Sequence, residues 1–194
     1  FASVNMSNDL TGRLNGTNIP FILFNRGQTG DQIASVTSAN YEGGRLAAEF
    51  LVAGGHKRIA HISGWKSSLN AQERQQGFKD ALGDAGMTPV FCIDGEFSRR
   101  KAAEAARTMM DHTNPTDAIF VGNDHMAFAV LEALRHDVGA RVPEDVSVIG
   151  YDDVHMASWS TYNLTTLRQP ANRMVDATVS LLMSMIDHNL AGKP

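Results

Sequence analysis

The sequence predicts an α/β fold in which parallel strands are flanked by helices, and three observations lead to that class. From residue 40 onward, short apolar runs typical of buried strands alternate with segments whose apolar residues recur at helical spacing. The connections between them are short enough for a series of βαβ units. The apolar run at 146–150 is soon followed by two adjacent carboxylates, Asp152 and Asp153, as is typical of the ligand-binding edge of an open parallel sheet.

The beginning of the chain contains too few elements to fold alone. A helical turn is predicted near residues 10–14, an apolar strand at 20–24 and a second candidate strand at 33–37. We therefore expect residues 1–39 to be part of a second, smaller lobe.

Residues 40–163 carry the pattern of a larger lobe. A first helix is predicted between Asn40, a plausible cap, and the glycine pair at 54–55. Further helices are predicted at 71–85, 98–112 and 126–138, and strands at 58–63, 90–93, 117–122 and 146–150. The four strands, each separated from the next by a helix, are expected to run parallel.

The end of the chain differs in pattern from the larger lobe. A strand is predicted at 164–169 and a long amphipathic helix at 171–189. We expect residues 164–194 to return to the smaller lobe. The chain would then cross between the lobes near 37–40 and again near 162–165.

Length and composition are those of an ordinary soluble globular protein, with 194 residues of which 43% are hydrophobic and 20% are charged. The net charge of -4 argues against direct DNA binding by this chain, because phosphate contacts need clustered Lys and Arg. The single cysteine, Cys92, excludes an internal disulfide and is expected to be a small buried residue of a strand. No apolar run reaches the length of a membrane span. Because the chain starts at Phe1 without a methionine, we expect it to be a piece of a longer protein.

Polar and aromatic side chains follow the four predicted strands. Because the carboxyl ends of parallel strands share one edge of the sheet, their loops are expected to converge. These loops contain Gly64-Trp65 and residues 94–97, 122–124 and 150–153, and Arg74 lies near the first turn of the helix after the first loop. Aromatic faces, an amide, a guanidinium and carboxylates suit a polyhydroxylated or heterocyclic small molecule.

The polar candidates also have structural interpretations. Asn123 or Asp124 can cap the helix that follows them. Arg74 can form a surface ion pair with Glu73 or Asp80, and such pairs contribute little to stability. The sequence leaves these alternatives open.

The other candidates divide in the same way. Trp65 and Phe97 can be either core side chains or ligand contacts. Asp152 and Asp153 are harder to explain structurally, because adjacent carboxylates at a strand end point in different directions. Neither Arg74 nor Asp152 is expected to fill the core, so their substitution is expected to change stability little.

Catalytic and metal-binding motifs are absent from the sequence. No pair of the seven histidines has metal-ligand spacing such as HExxH, and there is no G-x-S-x-G elbow, Walker loop or G-x-G-x-x-G loop. The pair Gly43-Gly44 is a weak phosphate-loop signal and is more typical of close packing at a helix start. We therefore expect no enzyme activity, no metal and no cofactor.

Six segments of the chain carry ordered motifs. They are NYEGG at 40–44, GHKRIAHISG at 55–64, ERQQGF at 73–78, GNDHMAFAVLEAL at 122–134, VPEDVSVIGYDD at 142–153 and LTTLRQP at 164–170. Together they resemble the effector-binding core of LacI/GalR-type transcriptional regulators, and the resemblance covers essentially the whole chain.

The resemblance implies a two-lobed periplasmic-binding-protein-like fold whose first lobe is incomplete in this chain. It implies a small effector, commonly a sugar or a purine, held between the lobes. Effector binding would change the orientation of the lobes and thereby the operator binding of a helix-turn-helix domain that is not part of this chain. A cytoplasmic homodimer is also implied. A secreted sugar-binding protein of a transporter shares the fold and is the alternative, but the motifs at 142–153 and 164–170 favour the regulator.

The resemblance also implies roles for individual residues. Arg74 matches the arginine of the RxxGF motif that contacts the effector, and Asp152 matches the aspartate that receives ligand hydroxyls or amines. Asn123 matches the asparagine of the NDxMA motif at the pocket wall. Phe97 aligns with an aromatic residue that often stacks on the effector.

Three positions depart from the family pattern. Trp65 stands where proline is usual, Asn25 where many members have aspartate, and Ala171 where some sugar-responsive members have a bulky side chain. Trp65 and Asn25 are kept as candidate ligand contacts, and the departures leave the identity of the ligand open. Trp159 and Tyr162, in the loop after the GYDD motif, are candidates either for an isologous dimer contact or for covering the sheet edge.

Overall fold

The computed structural model describes residues 14, 17, 19–27 and 33–191, with side chains as far as 188. The elements in chain order are β1 (Leu23–Phe24), β2 (Ser35–Val36), α1 (Asn40–Ala53), β3 (Ile59–Ser63), α2 (Leu69–Asp84), β4 (Phe91–Asp94), α3 (Arg99–Met110), β5 (Ala118–Val121), α4 (Asp124–Glu132), β6 (Ser147–Asp152), β7 (Thr165–Arg168) and α5 (Ala171–Ala191). The predicted class, parallel strands flanked by helices, is confirmed. The helical turn predicted at 10–14 lies, except for Leu14, outside the described residues.

The chain divides into two compact units. The smaller unit takes the residues up to Ser38 and those from Pro170 onward, and the larger unit is Ala39–Gln169. In the smaller unit β1 and β2 pair in parallel, and α5 contacts β2. Leu23 and Met174 are buried there.

The larger unit is built on a five-stranded parallel sheet in the order β4-β3-β5-β6-β7. The sequence pattern predicts that residues 164–169 belong to the smaller lobe and that this sheet has four strands. Instead β7 pairs with β6, with Asp152 opposite Arg168, so the chain leaves this unit after Gln169. The local pattern identified the strand but not its neighbour, because pairing depends on residues distant in sequence.

Both faces of this sheet are covered by helices, which explains why its central strands are almost wholly apolar. One core lies between the sheet and helices α3 and α4, and it contains Met109 and Phe128. The other lies between the sheet and helices α1 and α2, and it contains Phe78 and Phe120. His61 of β3 lies on this second face, stacked on Phe120 with the ring centroids 4.8 Å apart.

Helices α1 and α2 approach so closely that their backbones touch. A Cβ atom on Gly44 would lie 2.0 Å from the backbone oxygen of Arg74, and one on Gly77 would lie 1.9 Å from the backbone oxygen of Tyr41. A side chain at either position would therefore push the helices apart. The close-packing interpretation of the pair Gly43-Gly44 is confirmed for Gly44, and the contact fixes the backbone of Arg74 against α1.

Three local features differ from the sequence analysis. The helix predicted at 126–138 is α-helical over Asp124–Glu132 and continues as a π-helical segment over Ala133–Val138. Helix α2 begins ahead of its predicted start, because Ser68 caps it by accepting a hydrogen bond from the amide of Ala71. Cys92 is exposed rather than buried, because β4 is an edge strand of the sheet.

Candidate functional site

The carboxyl ends of β3, β4 and β5 meet at one edge of the sheet, where glycines let their loops approach closely. The amide of Gly122, just after β5, donates to the carbonyl oxygen of Ile62 at 2.8 Å. A Cβ atom on Gly64, just after β3, would lie 2.1 Å from the ring of Phe97. The loops after these three strands therefore lie side by side.

Arg74 projects from α2 and is buried, with 4% of its surface exposed. Its Nε donates to Oδ1 of Asn40 at 2.9 Å, and its Nη1 donates to the carbonyl oxygen of Gly122 at 2.6 Å. Its Cζ lies 3.6 Å from the centroid of the Tyr151 ring, in a cation–π contact. The surface ion pair considered above is excluded by this burial, and the expectation that Arg74 lies outside the core is wrong.

Arg74 carries a positive charge at this edge of the sheet. Burial lowers the pKa of Arg74 from its usual value, and the neighbouring Tyr151 and Asp152 oppose the shift. The guanidinium keeps its proton at neutral pH because the usual pKa of arginine is far above 7. A buried charge is tolerated here because it is hydrogen-bonded and stacked.

Asp152 and Asp153 have different partners. Oδ1 of Asp152 accepts from Nε2 of Gln169 at 2.5 Å, whereas Oδ2 of Asp153 accepts from Nε of Arg168. Their φ angles are 127° and 58°, which are costly conformations for residues other than glycine. Burial raises the pKa of Asp152, and the charge of Arg74 is the largest effect opposing that rise. Asp152 is thus the carboxylate that lies in the field of Arg74.

Asn123 caps helix α4. Its Oδ1 accepts from the amide of Met126 at 2.9 Å, and its backbone is extended as capping requires. The capping interpretation is therefore confirmed for Asn123. Its amide nitrogen, Nδ2, is the part of the side chain that the cap does not use.

Asp124 is the polar residue of this edge for which the sequence predicts no role beyond that of a possible helix cap. It is 0% exposed, and its two oxygens accept from the amide of Val154 at 2.9 Å and from the hydroxyl of Thr166 at 2.5 Å. A Cβ atom on Gly150 would lie 2.3 Å from Oδ1 of Asp124, so glycine makes room for the carboxylate. Burial raises the pKa of Asp124 to about 6. The sequence did contain one signal of a further role. Asn123 alone supplies the cap of α4, so the polar residue that follows it directly is not needed as a cap.

Trp65 and Phe97 form an aromatic pair at the same edge. Their ring centroids lie 5.2 Å apart with the planes at 88°, an edge-to-face arrangement. Both residues are half-buried, and Phe97 also packs against the core beside α3 and α4. The backbones of Glu96 and Phe97 have φ angles of 54° and 52°. Phe97 therefore packs against the core and still leaves part of its ring accessible.

Asn25 lies in the smaller unit, directly after β1. Its amide donates to the carbonyl oxygen of Val36 at 2.8 Å, and its φ angle is 53°. It therefore follows the carboxyl end of a parallel strand, as Asn123 follows β5 in the larger unit.

The two aromatic residues after β6 differ in their surroundings. Tyr162 stacks on Phe128 with centroids 4.2 Å apart, and its hydroxyl donates to Oε1 of Glu132 at 3.0 Å. It therefore covers the core of its own unit. Trp159 is 47% exposed and has an edge contact with His155. Of the pair, Trp159 is the candidate for a contact with another chain.

Neither a metal-ligand cluster nor a membrane-spanning helix occurs in the described part of the chain. Within it, no group of three or more His, Cys, Asp or Glu side chains could hold a metal ion. No helix among the same residues is long and apolar enough to cross a membrane.

The chain has relatives of known class. A sequence profile of the periplasmic binding protein-like domain matches residues 48–194. The chain is 34% identical over 188 residues to the HTH-type transcriptional repressor PurR of Vibrio vulnificus, covering 93% of this chain and 56% of the relative. It is also 34% identical over 188 residues to the HTH-type transcriptional regulator CelR of Thermobifida fusca, covering 95% of this chain and 55% of the relative. The chain therefore spans about half the length of these relatives.

Solved structures give the same result. The complex of the transcriptional regulator CelR with cellobiose matches 100% of this chain and 59% of its own, with a TM-score of 0.88 and 32% identity. A LacI transcriptional regulator from a Rhodococcus species matches 94% of this chain and 69% of its own, with a TM-score of 0.84 and 28% identity. The fold is thus that of a periplasmic-binding-protein-like domain. The chain belongs to this family, in the form of the effector-binding core of a LacI-type transcriptional regulator.

Proposed function

We propose that this chain is the ligand-sensing domain of a LacI-type transcriptional regulator and binds a small polar effector, a sugar or a related metabolite, at the carboxyl edge of its larger sheet. The observation that carries the proposal is the buried Arg74, held by Asn40, Gly122 and Tyr151 in the neighbourhood of the half-buried Asp152. A fixed donor near a fixed acceptor suits sugar hydroxyls, which both donate and accept hydrogen bonds.

Each candidate residue has a proposed role. Arg74 and Asp152 would form charge-assisted hydrogen bonds with the effector in a partly desolvated site. Asn123 would donate from Nδ2, because its Oδ1 caps α4. Trp65 and Phe97 would offer an aromatic face to the apolar face of a sugar or heterocycle. In the smaller unit, Asn25 would be a further polar ligand contact.

The response of the regulator would follow from linkage. An effector changes operator affinity if it binds one conformation of the domain better than another. Operator DNA would bind through a helix-turn-helix domain outside this chain, and the net charge of -4 fits a chain that does not itself hold DNA. We also propose that the protein is a cytoplasmic homodimer with Trp159 at the dimer contact. Relatives that are transcriptional regulators favour this function over an enzyme or a transporter's sugar-binding protein.

A thermal-shift screen with sugars including cellobiose, polyols and nucleobases tests the proposal. A ligand at 100 times its Kd should stabilise the domain by about 2.7 kcal/mol. We expect at least one sugar or related metabolite to raise the melting temperature of the wild type and to have a smaller effect on the Asp152→Asn variant. No shift with any of these ligands would contradict the proposed function, and equal shifts in both proteins would place the ligand elsewhere.

A further inference from the structure

We propose that Asp124 is a positioning residue whose buried carboxylate holds the turn at 152–154 in the conformation that presents Asp152 to the ligand. The ligand-facing part of this inference rests on the proposed function. The holding of the turn is a property of the unliganded domain and can be measured without any effector.

The carboxylate of Asp124 connects three elements. It starts from the first residue of α4, reaches the amide of Val154 just after β6, and reaches the hydroxyl of Thr166 in β7. Oγ1 of Thr166 in turn accepts from the amide of Asp153 at 3.4 Å. One carboxylate therefore satisfies the amide at 154 directly and supports the acceptor of the amide at 153.

The turn that Asp124 holds is strained. Asp152 and Asp153 have φ angles of 127° and 58°, and such conformations persist in non-glycine residues when the surrounding structure over-determines them. The amides of Asp153 and Val154 take side-chain oxygens as acceptors because the chain leaves the regular strand ladder here. Removing those acceptors should let the turn relax, and the carboxylate of Asp152 would move with it.

Helix capping does not explain a carboxylate at this position. Asn123 already provides the side-chain cap of α4. An asparagine at position 124 could make the same two contacts, accepting from Val154 through oxygen and donating to the hydroxyl of Thr166 through nitrogen. An Asp124→Asn variant should therefore keep the turn in place, whereas Asp124→Ala cannot.

The test is amide hydrogen exchange of Val154, measured by NMR on the unliganded chain. The variants are Asp124→Ala, Asp124→Asn and Thr166→Val. Asp117→Ala is the matched control, because Asp117 also accepts from backbone amides, those of Lys57 and Arg58 at 3.1 Å, but at the opposite, amino edge of the sheet.

We expect exchange of the Val154 amide to accelerate about tenfold or more in Asp124→Ala and to stay within about threefold of wild type in Asp124→Asn and in Asp117→Ala. Unchanged exchange in Asp124→Ala, or equal acceleration in Asp117→Ala, would overturn the proposal. If Asp124→Ala fails to fold, Thr166→Val decides: faster exchange at residues 153 and 154 supports the proposal, and wild-type exchange there overturns it.

A titration with cellobiose separates this inference from the proposed function. If wild type binds cellobiose, Asp124→Ala should weaken binding about tenfold and Asp124→Asn should restore it. Faster exchange with unchanged cellobiose affinity would overturn the ligand-facing role of the turn. If wild type does not bind cellobiose, the choice of this sugar fails, while the exchange result still decides whether Asp124 holds the turn.

Discussion

The Cζ atom of Arg74 lies 3.6 Å from the ring centroid of Tyr151, so one residue of β6 holds the cation and the next residue carries the carboxylate of Asp152. The ring of Tyr151 also faces α1, where a Cβ atom on Gly43 would lie 2.5 Å from it. A desolvated cation–π contact contributes about 2 kcal/mol. Arg74 is therefore both a structural residue of the larger unit and a candidate ligand contact.

We predict that Arg74→Ala lowers the free energy of unfolding by about 2 to 4 kcal/mol, because the buried acceptors on Asn40 and Gly122 lose their charged donor. Urea denaturation measures the loss. Arg58→Ala is the control, since its Nε also donates to a backbone carbonyl, that of Pro115 at 2.6 Å, from a half-exposed side chain. This variant should lose about 1 kcal/mol or less. Equal losses would show that the burial of Arg74 has no energetic consequence.

We predict that Asp152→Asn weakens effector binding roughly ten- to a hundredfold while the free energy of unfolding changes by less than about 1 kcal/mol. Asparagine keeps an oxygen that accepts from Gln169 but removes the negative charge near Arg74. Isothermal titration with the first ligand found in the screen measures the affinity. Asp153→Asn, whose carboxylate pairs with an exposed arginine, should stay within about twofold of wild type. Similar weakening in both variants would remove the special role of Asp152.

The sequence predicted the elements of the larger unit because each has a complete local pattern. It could not predict which strand lies beside β7, because the same short, partly polar strand suits an edge position in either unit. The burial of Arg74 could not be predicted from the sequence for a related reason. It depends on the backbone contact of α1 with α2 at Gly44 and Gly77, and glycines in two helices do not reveal that they face each other.

In the candidate site, too, the sequence predicted what depends on local patterns and did not predict contacts between distant residues. The order of strands and loops was sufficient to group Trp65, Phe97, Arg74 and Asn123 at one edge of the sheet. A polar residue next to Asn123 was visible in the sequence, but the partners of Asp124 could not be predicted, because they lie 30 and 42 residues away in the chain. The sequence around a helix start does not distinguish a residue that caps the helix from a buried carboxylate that binds a distant turn.

We predict that Gly44→Ala lowers the melting temperature by several degrees or prevents folding, because the new Cβ atom would lie 2.0 Å from a backbone oxygen of α2. Gly83→Ala is the control on the neighbouring helix, since a Cβ atom there would meet nothing within 4 Å. The control should stabilise by about 0.5 to 1 kcal/mol through higher helix propensity. A tolerated Gly44→Ala would show that the two helices are not in backbone contact.

We predict that Trp159→Ala reduces the sedimentation mass of the protein toward that of one chain, because exposed aromatic residues often anchor protein contacts. Phe50→Ala is the control, since Phe50 is also exposed and apolar but lies on α1. It should leave the mass unchanged. A dimer that persists in Trp159→Ala would show that this residue is not an anchor.

Two buried titratable groups of the larger unit should have opposite effects in acid. His61 donates from Nδ1 to the carbonyl oxygen of Phe120 at 2.9 Å, and burial lowers its pKa to about 4, whereas its ordinary value is 6.5. As the pH falls, His61 therefore takes up its proton at a higher pH in the unfolded chain than in the folded chain, and stability is lost as the pH falls from 6.5 toward 4.

Burial raises the pKa of Asp124 from 3.8 to about 6. As the pH falls, Asp124 therefore takes up its proton at a higher pH in the folded chain than in the unfolded chain, and stability is gained over nearly the same range. Each effect amounts to about 3 kcal/mol.

We predict that these effects largely cancel in wild type and that single substitutions reveal each one. Relative to wild type, His61→Phe should gain about 3 kcal/mol of unfolding free energy between pH 6.5 and 4, because only the contribution of Asp124 remains. Asp124→Asn should lose about 3 kcal/mol over the same range, because only the contribution of His61 remains. Denaturant unfolding at several pH values measures both differences, and comparison with wild type removes the contributions of all other carboxylates. Parallel pH curves for the three proteins would show that neither group keeps its buried, shifted titration in the folded chain.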